Sequence, residues 1–327
     1  MTTETTAASR GLWQRIRTHK QGRSLFVGSV MTPLMLYMLF WTLFPILFAV
    51  ALALFDYSAR NKGLVLGFGG NNPFIGLGNF RNMLSDSLEA QNFRMSLRNT
   101  LIFAFAVLPL NLLITIPLAV AIEAVHERLK VLFRFIYFLP TVTASVGVAL
   151  IWGYLYHPQR GLINMIIKFV GGSPQIWLTD PRVAYLGVPL ALWAVIFTYL
   201  WWDMGYNLII FIAALQGIPK EFKEAAVVDG ANVWQIFWRI TLPLLRPTLM
   251  FVCILTMISS FQVFDIIQIM TKGGPQEQTR VLVLDIYLNA FRFQRMGWAG
   301  ASSLVLFLLI FVVTLVQRRL LRTQWEY

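Results

Sequence analysis

Residues Tyr185–Leu215 read YLGVPLALWAVIFTYLWWDMGYNLIIFIAAL. Asp203 is the single charged side chain in this run. Lipid offers a backbone no outside hydrogen-bond partner, so a chain crosses it as a helix of roughly 20 apolar residues. Five further stretches meet that condition: Leu25–Phe55, Asn99–Ala124, Phe135–His157, Pro247–Met270 and Trp298–Val316. Leu25–Phe55 and Tyr185–Leu215 exceed the minimum and are expected to tilt or extend past the lipid. Prolines inside the spans (Pro33, Pro45, Pro109, Pro117, Pro140, Pro189) are tolerable where neighbouring helices cover the freed carbonyls, which favours a bundle.

Composition agrees. Hydrophobic residues make up 57% of the 327 and charged residues 13%, against roughly 45–50% and about 25% in a soluble domain. Mean hydropathy is +0.65. A soluble enzyme and a disordered chain are excluded on these grounds. The net charge of +12 would point to nucleic acid in a soluble protein, but in an apolar chain it reads as positive-inside bias, so no nucleic-acid partner is expected. Lys and Arg are denser on the segments that are cytoplasmic if the N-terminus is inside, most clearly at Arg10, Arg15, Arg17, Lys20 and Arg23. The expected organisation is a basic cytoplasmic tail over 1–24, one transmembrane domain over 25–316 and a cytoplasmic C-terminal tail over 317–327. The first apolar stretch is too long for a signal-peptide core and reads as an uncleaved helix. Glycine-rich Gly63–Gly78 reads as an exposed outer loop. Cys253 is the one cysteine, and His19, His126 and His157 lie far apart, so no disulfide or metal cluster is expected.

The next segment, Gly217–Pro243, reads GIPKEFKEAAVVDGANVWQIFWRITLP. Pro219 suits a first helical turn, Lys220–Asp229 holds good helix formers, and Gly230 is a natural stop. A second helix over Asn232–Ile240 would put Val233, Ile236, Phe237 and Ile240 on one stripe. The result is a helix–turn–helix on the membrane face with Lys220, Glu221, Lys223 and Glu224 outward. It serves either as a passive interfacial pair or as a docking surface for a cytosolic partner.

Glu224-Ala225-Ala226, Asp229-Gly230-Ala231 and Ile240-Thr241-Leu242-Pro243 together resemble the EAA signature of permease subunits in binding-protein-dependent ATP-binding-cassette importers. Phe74–Phe80, Asn99-Thr100-Leu101, Phe133-Arg134 and Phe138-Leu139-Pro140 are similar to the same family. Phe261–Pro275, with Thr271–Pro275 as T-x-G-G-P, resembles the larger maltose-type or glycerol-phosphate-type permease of the carbohydrate-uptake branch. The maltose-type protein has extra N-terminal spans and a large outer domain, so this chain looks like the six-span form.

The resemblance implies an all-α, polytopic six-helix membrane bundle of the type I importer kind, in a prokaryotic cell (inner) membrane, with both termini cytoplasmic. It further implies a non-catalytic permease paired with a second homologous permease, a dimer of cytosolic ATPases and an extracytoplasmic sugar-binding protein. ATP and Mg would sit on the ATPase, and this chain would bind no cofactor. The absence of a G-x-x-x-x-G-K-[ST] run accords with that. Glu224 would pair with a basic residue of the ATPase, Ala225 and Ala226 would pack closely, and Gly230 would make the turn beside Asp229.

Three acidic residues fall in the spans. Glu123 stands at a cytoplasmic end, where it is expected to be solvated. Asp203 and Asp265 are costly in a bilayer unless they face a bundle interior or water. Asp203 and Trp202 share a helix side with Tyr206. The fifth span offers Thr256, Ser259, Ser260, Gln262, Asp265 and Gln268. A sugar's hydroxyl rim and C–H face suit hydroxyls, amides and an aromatic platform. By resemblance, the sugar-contacting positions are Trp202, Asp203 and Tyr206, then Ser260, Gln262 and Val263. The same polar residues could instead hold helices together. A different transport class, an ion-coupled secondary transporter using Asp203 and Asp265, accounts for the acids but leaves the 217–243 loop unused. A membrane-embedded enzyme lacks a catalytic cluster at credible spacing.

Overall fold

The computed structural model describes residues 26–61, 68 and 70–321. The expected basic tail over 1–24, much of the glycine-rich loop and the last residues of the C-terminal tail lie outside the described residues. The elements, in chain order, are α1 (Phe26–Ala53), α2 (Leu88–Ala124), α3 (Glu127–Val142), α4 (Ser145–Leu155), α5 (Leu162–Phe169), a hairpin of β1 (Ala184–Tyr185) and β2 (Val188–Pro189), α6 (Leu190–Gln216), α7 (Lys220–Val228), α8 (Val233–Ile236), α9 (Arg246–Phe261), α10 (Asp265–Met270), α11 (Leu282–Tyr287) and α12 (Met296–Leu321). Residues up to Leu52 form one compact unit and those from Ala53 a second.

Among the described residues five helices are long and apolar enough to cross a membrane, and a sixth span is added if α3 and α4 count as one. The third expected span is therefore corrected. It is two helices bent by 97°, because Thr143 and Ala144 are extended (ψ 137° and 133°). The fifth expected span is also interrupted, at Gln262–Phe264 between α9 and α10. Other boundaries shift for local reasons. α2 begins at Leu88, where Ser87 caps the helix by accepting from Ala90 N–H. α6 begins only at Leu190, since Tyr185–Pro189 is spent on the hairpin. α12 runs to Leu321, so the first residues of the expected C-terminal tail are helical.

Two π-turns, Leu39–Leu43 and Phe237–Thr241, each end two residues before a proline (Pro45, Pro243). Proline lacks an N–H and its ring crowds the carbonyl four residues back, and widening the preceding turn relieves both. Asn79, buried, satisfies the chain leaving α1: its amide donates to the carbonyls of Ala53 (2.8 Å) and Phe55 (2.9 Å).

In the second unit α6 is the central element, packing against α2, α3 and α9. Phe103, Leu192, Ile196 and Ile267 fill one core, Phe93, Met257, Phe261 and Trp298 a second, and Leu208, Phe211 and Leu245 a third. The crossing of α6 with α3 depends on Gly205. A Cβ there would overlap the Tyr137 carbonyl oxygen and lie 2.6 Å from Thr141 Oγ1. Small residues let membrane helices approach this closely.

Gly205→Leu should therefore force α3 away from α6. The expected penalty is about 1–3 kcal/mol of overpacking strain, read as a lowered thermal unfolding midpoint of the detergent-purified chain.

Candidate functional site

The two helix breaks are joined by a side-chain bond, and at the first of them a side chain takes over a hydrogen bond that the backbone gives up. At the α3–α4 bend the Trp202 indole N–H donates to the freed Thr143 carbonyl at 3.0 Å, and Thr141 Oγ1 donates to the Trp202 carbonyl at 2.8 Å. One turn on, Ser145 Oγ donates to Asp265 Oδ2 at 2.8 Å, joining α4 to α10. Between the breaks lies a cavity of about 240 Å³ lined by Ser145, Tyr199, Trp202, Ser259, Gln262, Val263, Phe264, Asp265 and Ile266. Tyr199 and Trp202 meet edge to face, with ring centroids 5.8 Å apart.

Trp202, Gln262 and Val263 are thus brought together around one cavity. Asp203 is drawn away into an interhelical network. Its Oδ2 accepts from Asn111 Nδ2 (3.0 Å) and Asn207 Nδ2 (3.2 Å), and the Asn207 amide also donates to Asn111 Oδ1 (3.0 Å) and Thr256 Oγ1 (2.9 Å). Those contacts pin α2, α6 and α9 to one another. Ser260 is fully buried and donates to the Thr256 carbonyl at 2.6 Å. Tyr206 is exposed and does not line the cavity. Asp265 stands not mid-helix but at the first residue of α10. The sequence reading missed Ser145, Tyr199 and Phe264 at the cavity and Asn111 in the network. Asn111 was detectable as the one amide inside the apolar run AVLPLNLLIT, but nothing local pairs it with Asn207.

At one end of the bundle Glu123 is not solvated as expected. Its carboxylate accepts from Arg134 (2.5 Å), Lys130 (3.3 Å) and Gln216 Nε2 (3.1 Å), tying α2, α3 and the end of α6 together. At the opposite end of α2 is a second cavity of about 230 Å³, lined by Glu89, Arg280, Asp285 and Arg295 among others. Arg280 is buried there and pairs with Asp285 (2.8 Å) and Glu277 (3.0 Å). Burial pushes the Asp285 carboxyl above its ordinary value, and the Arg280 guanidinium opposes that shift.

The 217–243 segment leaves α6 immediately beyond Gln216. α7 ends in a paired cap: Ala231 N–H donates to the Ala226 carbonyl (2.9 Å) and Gly230 N–H to that of Val227 (3.0 Å). Gly230 takes φ +77°, which an L side chain adopts only at a cost. Asn232 then caps α8 from outside the helix, in a reciprocal box with Gln235 (2.9 and 2.8 Å). The helix expected over Asn232–Ile240 is present and runs further: α8 passes without a break into the π-turn and a last helical turn at Leu242–Leu244. Glu224, Ala225, Asp229 and Gly230 are exposed and Ala226 is buried. Val233 stands out at 78% exposure, beside exposed Val227, Val228, Trp234 and Trp238. Phe237 packs on the third core. The loop is therefore rigid, rooted in the bundle, and apolar at its tip.

Comparison with known proteins agrees with this geometry. A family model described as "Binding-protein-dependent transport system inner membrane component" matches residues 115–325. A probable ABC transporter permease of Pyrococcus horikoshii is 32% identical over 245 residues, covering 74% of this chain and 80% of that protein. An osmoprotective-compound uptake permease of Synechocystis is 31% identical, covering 90% and 98%. An sn-glycerol-3-phosphate transport system permease of Agrobacterium fabrum is 31% identical, covering 80% and 85%. A chain in the crystal structure of a bacterial ABC transporter that imports the acidic polysaccharide alginate shares the fold, with a TM-score of 0.74 at 23% identity over 96% of this chain and 99% of that one. The ion-coupled reading is not favoured beside these relatives.

Asn207→Leu should leave the Asp203 carboxylate and the Thr256 hydroxyl short of a donor. A cost of about 1–3 kcal/mol for each buried group left unsatisfied predicts a lowered unfolding midpoint of the detergent-purified chain.

Proposed function

Because the chain belongs to the binding-protein-dependent transport system inner membrane component family, we propose that it forms one half of the transmembrane pathway of an ATP-driven importer for a sugar or related polyol. A second, homologous permease supplies the other half, a dimer of cytosolic ATPases supplies the energy, and an extracytoplasmic binding protein delivers the solute. ATP and Mg reside on the ATPases. The chain lies in the cell's inner membrane with both termini cytoplasmic.

The observation that carries this reading is the rigid 217–243 element. Its cap at Gly230 and its box at Asn232–Gln235 hold two short helices at a set angle. Phe237 and Leu245 root it among α2, α3 and α6. A push on α7 therefore reaches the bundle rather than being absorbed by a flexible loop. Glu224, exposed on α7, is the charged contact for the ATPase. Ala225 and Ala226 allow close approach, Asp229 ends α7, and the exposed apolar tip completes the docking face. ATP-driven closure of the two ATPases draws both coupling loops together and opens the pathway outward, toward the binding protein.

The cavity between the helix breaks is the solute wall on this subunit. Trp202 covers a sugar's C–H face, Gln262 supplies an amide to its hydroxyls, and Val263 closes the side. At about 240 Å³ the cavity is just below the ~300 Å³ at which small-molecule sites begin, as suits a wall that a second subunit completes. Asp203, Tyr206 and Ser260 belong to the same region of α6 and α9. The first two contact solute only as the pathway changes shape, and Ser260 supports the wall from behind.

Glu224→Ala and Gly230→Pro test the coupling. Truncating one partner of a buried charge pair costs about 2–5 kcal/mol, so uptake and binding-protein-stimulated ATPase activity should each fall by roughly tenfold or more. Membrane insertion should be unchanged, and the ATPase should be lost on co-purification. Normal uptake and stimulation in both variants would overturn the reading.

A further inference from the structure

The chemistry of the cavity wall specifies its ligand more narrowly than family membership does. Among the described residues that line it, none is a lysine, arginine or histidine, and the one ionisable acid is Asp265. Most hydrogen-bond donors there are already committed. The Trp202 indole N–H goes to Thr143, the Ser259 hydroxyl to the Thr256 carbonyl at 3.1 Å, and the Ser145 hydroxyl to Asp265. The buried Tyr199 hydroxyl is engaged with the Ser259 and Ser260 side chains. What remains exposed is an acceptor: Asp265 Oδ1 accepts no hydrogen bond among the described residues. The Gln262 amide, exposed at the end of α9, offers both donor and acceptor. The free main-chain N–H groups at the start of α10 lie beside Asp265's own carboxylate, which offsets their positive end.

We propose that this wall takes a neutral, hydroxyl-rich ligand and turns away phosphate- and carboxylate-bearing ones, with Asp265 as a ligand-contacting residue that Ser145 holds in position. The proposal rests on the permease reading above and adds the substrate class. A sugar hydroxyl donates to Asp265 Oδ1 in a charge-assisted hydrogen bond, while Trp202 and Tyr199 cover the ring. A phosphate or carboxylate in the same place meets a fixed carboxylate with no cation beside it, and is repelled. The Ser145 hydroxyl orients the acid by occupying Oδ2, which leaves one oxygen to face the cavity. It also joins the two broken helices at the point of contact, so ligand binding bears on the α4–α10 junction.

The test uses the complete transporter in lipid nanodiscs and a matched pair of probes, methyl α-D-glucopyranoside and methyl α-D-glucuronopyranoside, which differ only in a hydroxymethyl against a carboxylate. Binding is read by saturation-transfer NMR in the absence of the binding protein, so that protein's own selectivity does not enter. The glucoside should bind at least roughly tenfold more tightly than the glucuronide, the factor expected from losing one hydrogen bond to a charged group. Asp265→Asn should weaken the glucoside and narrow the gap between the probes. Ser145→Ala, a smaller change that keeps the carboxylate, should weaken the glucoside while preserving the preference. Equal or tighter glucuronide binding, a gap unaltered by Asp265→Asn, or no binding of either probe would overturn the proposal. ATPase stimulation by the binding protein in the same preparation separates the two failures. If stimulation is present and the selectivity wrong, the substrate class falls alone. If stimulation is absent, the importer reading falls and the inference with it.

Discussion

A backbone that leaves the helix inside a bilayer must find its hydrogen bonds within the protein, because lipid supplies none. Much of the second unit's architecture answers that demand. α3 and α4 part at Thr143–Ala144, and the indole of Trp202 takes the freed Thr143 carbonyl. α9 and α10 part at Gln262–Phe264, and Ser145 reaches from α4 to the acid that begins α10. The first break is repaired from α6 by Trp202, and the Ser145–Asp265 bond ties α4 directly to the start of α10, beyond the second break. The cavity lies beside these contacts, and Trp202, Ser145 and Asp265, which make them, also line it.

The 217–243 element meets a related demand at the end of the bundle, where a turn between helices must satisfy its own backbone. The cap at Gly230, the box at Asn232–Gln235 and the anchoring of Phe237 and Leu245 remove most of its conformational freedom. Nearby, the Glu123 carboxylate binds Lys130, Arg134 and Gln216, clamping three helix ends next to where the element begins. Charges in that position are partly shielded from water and retain more of their attraction than surface pairs do. The Asn111–Asp203–Asn207–Thr256 network lies between this clamp and the cavity along α6, so the 217–243 element and the cavity wall are joined through one helix.

Much of this was legible in the residues. Apolar run length located the spans, since the condition for crossing lipid depends on local composition alone. Gly230 and Pro219 marked the turn and the start of α7, because such chemistry acts within a few residues, whereas Asn232, read as the first residue of the second helix, proved to be its cap. What was not legible depended on partners distant in sequence. Whether Asp203 faces solute or a network turns on Asn111, 92 residues earlier in the chain. Glu123 looks like a solvated helix end until Arg134 and Gln216 fold onto it. The bend at Thr143 falls in a stretch that is apolar throughout, and hydropathy carries no information about direction.

By itself, then, the sequence determined that the chain crosses a membrane several times, that a capped helix–turn–helix interrupts its later spans, and roughly where polar groups enter the lipid region. These follow from the transfer of side chains between water and lipid and from hydrogen bonds closed within a turn. Tertiary structure alone decided which polar groups face one another, where two spans break, and which side chains line the space between the breaks. The reason is physical: a polar group buried in a bilayer takes whichever partner packing brings within about 3 Å, and that partner is set by how the helices cross rather than by any spacing along the chain.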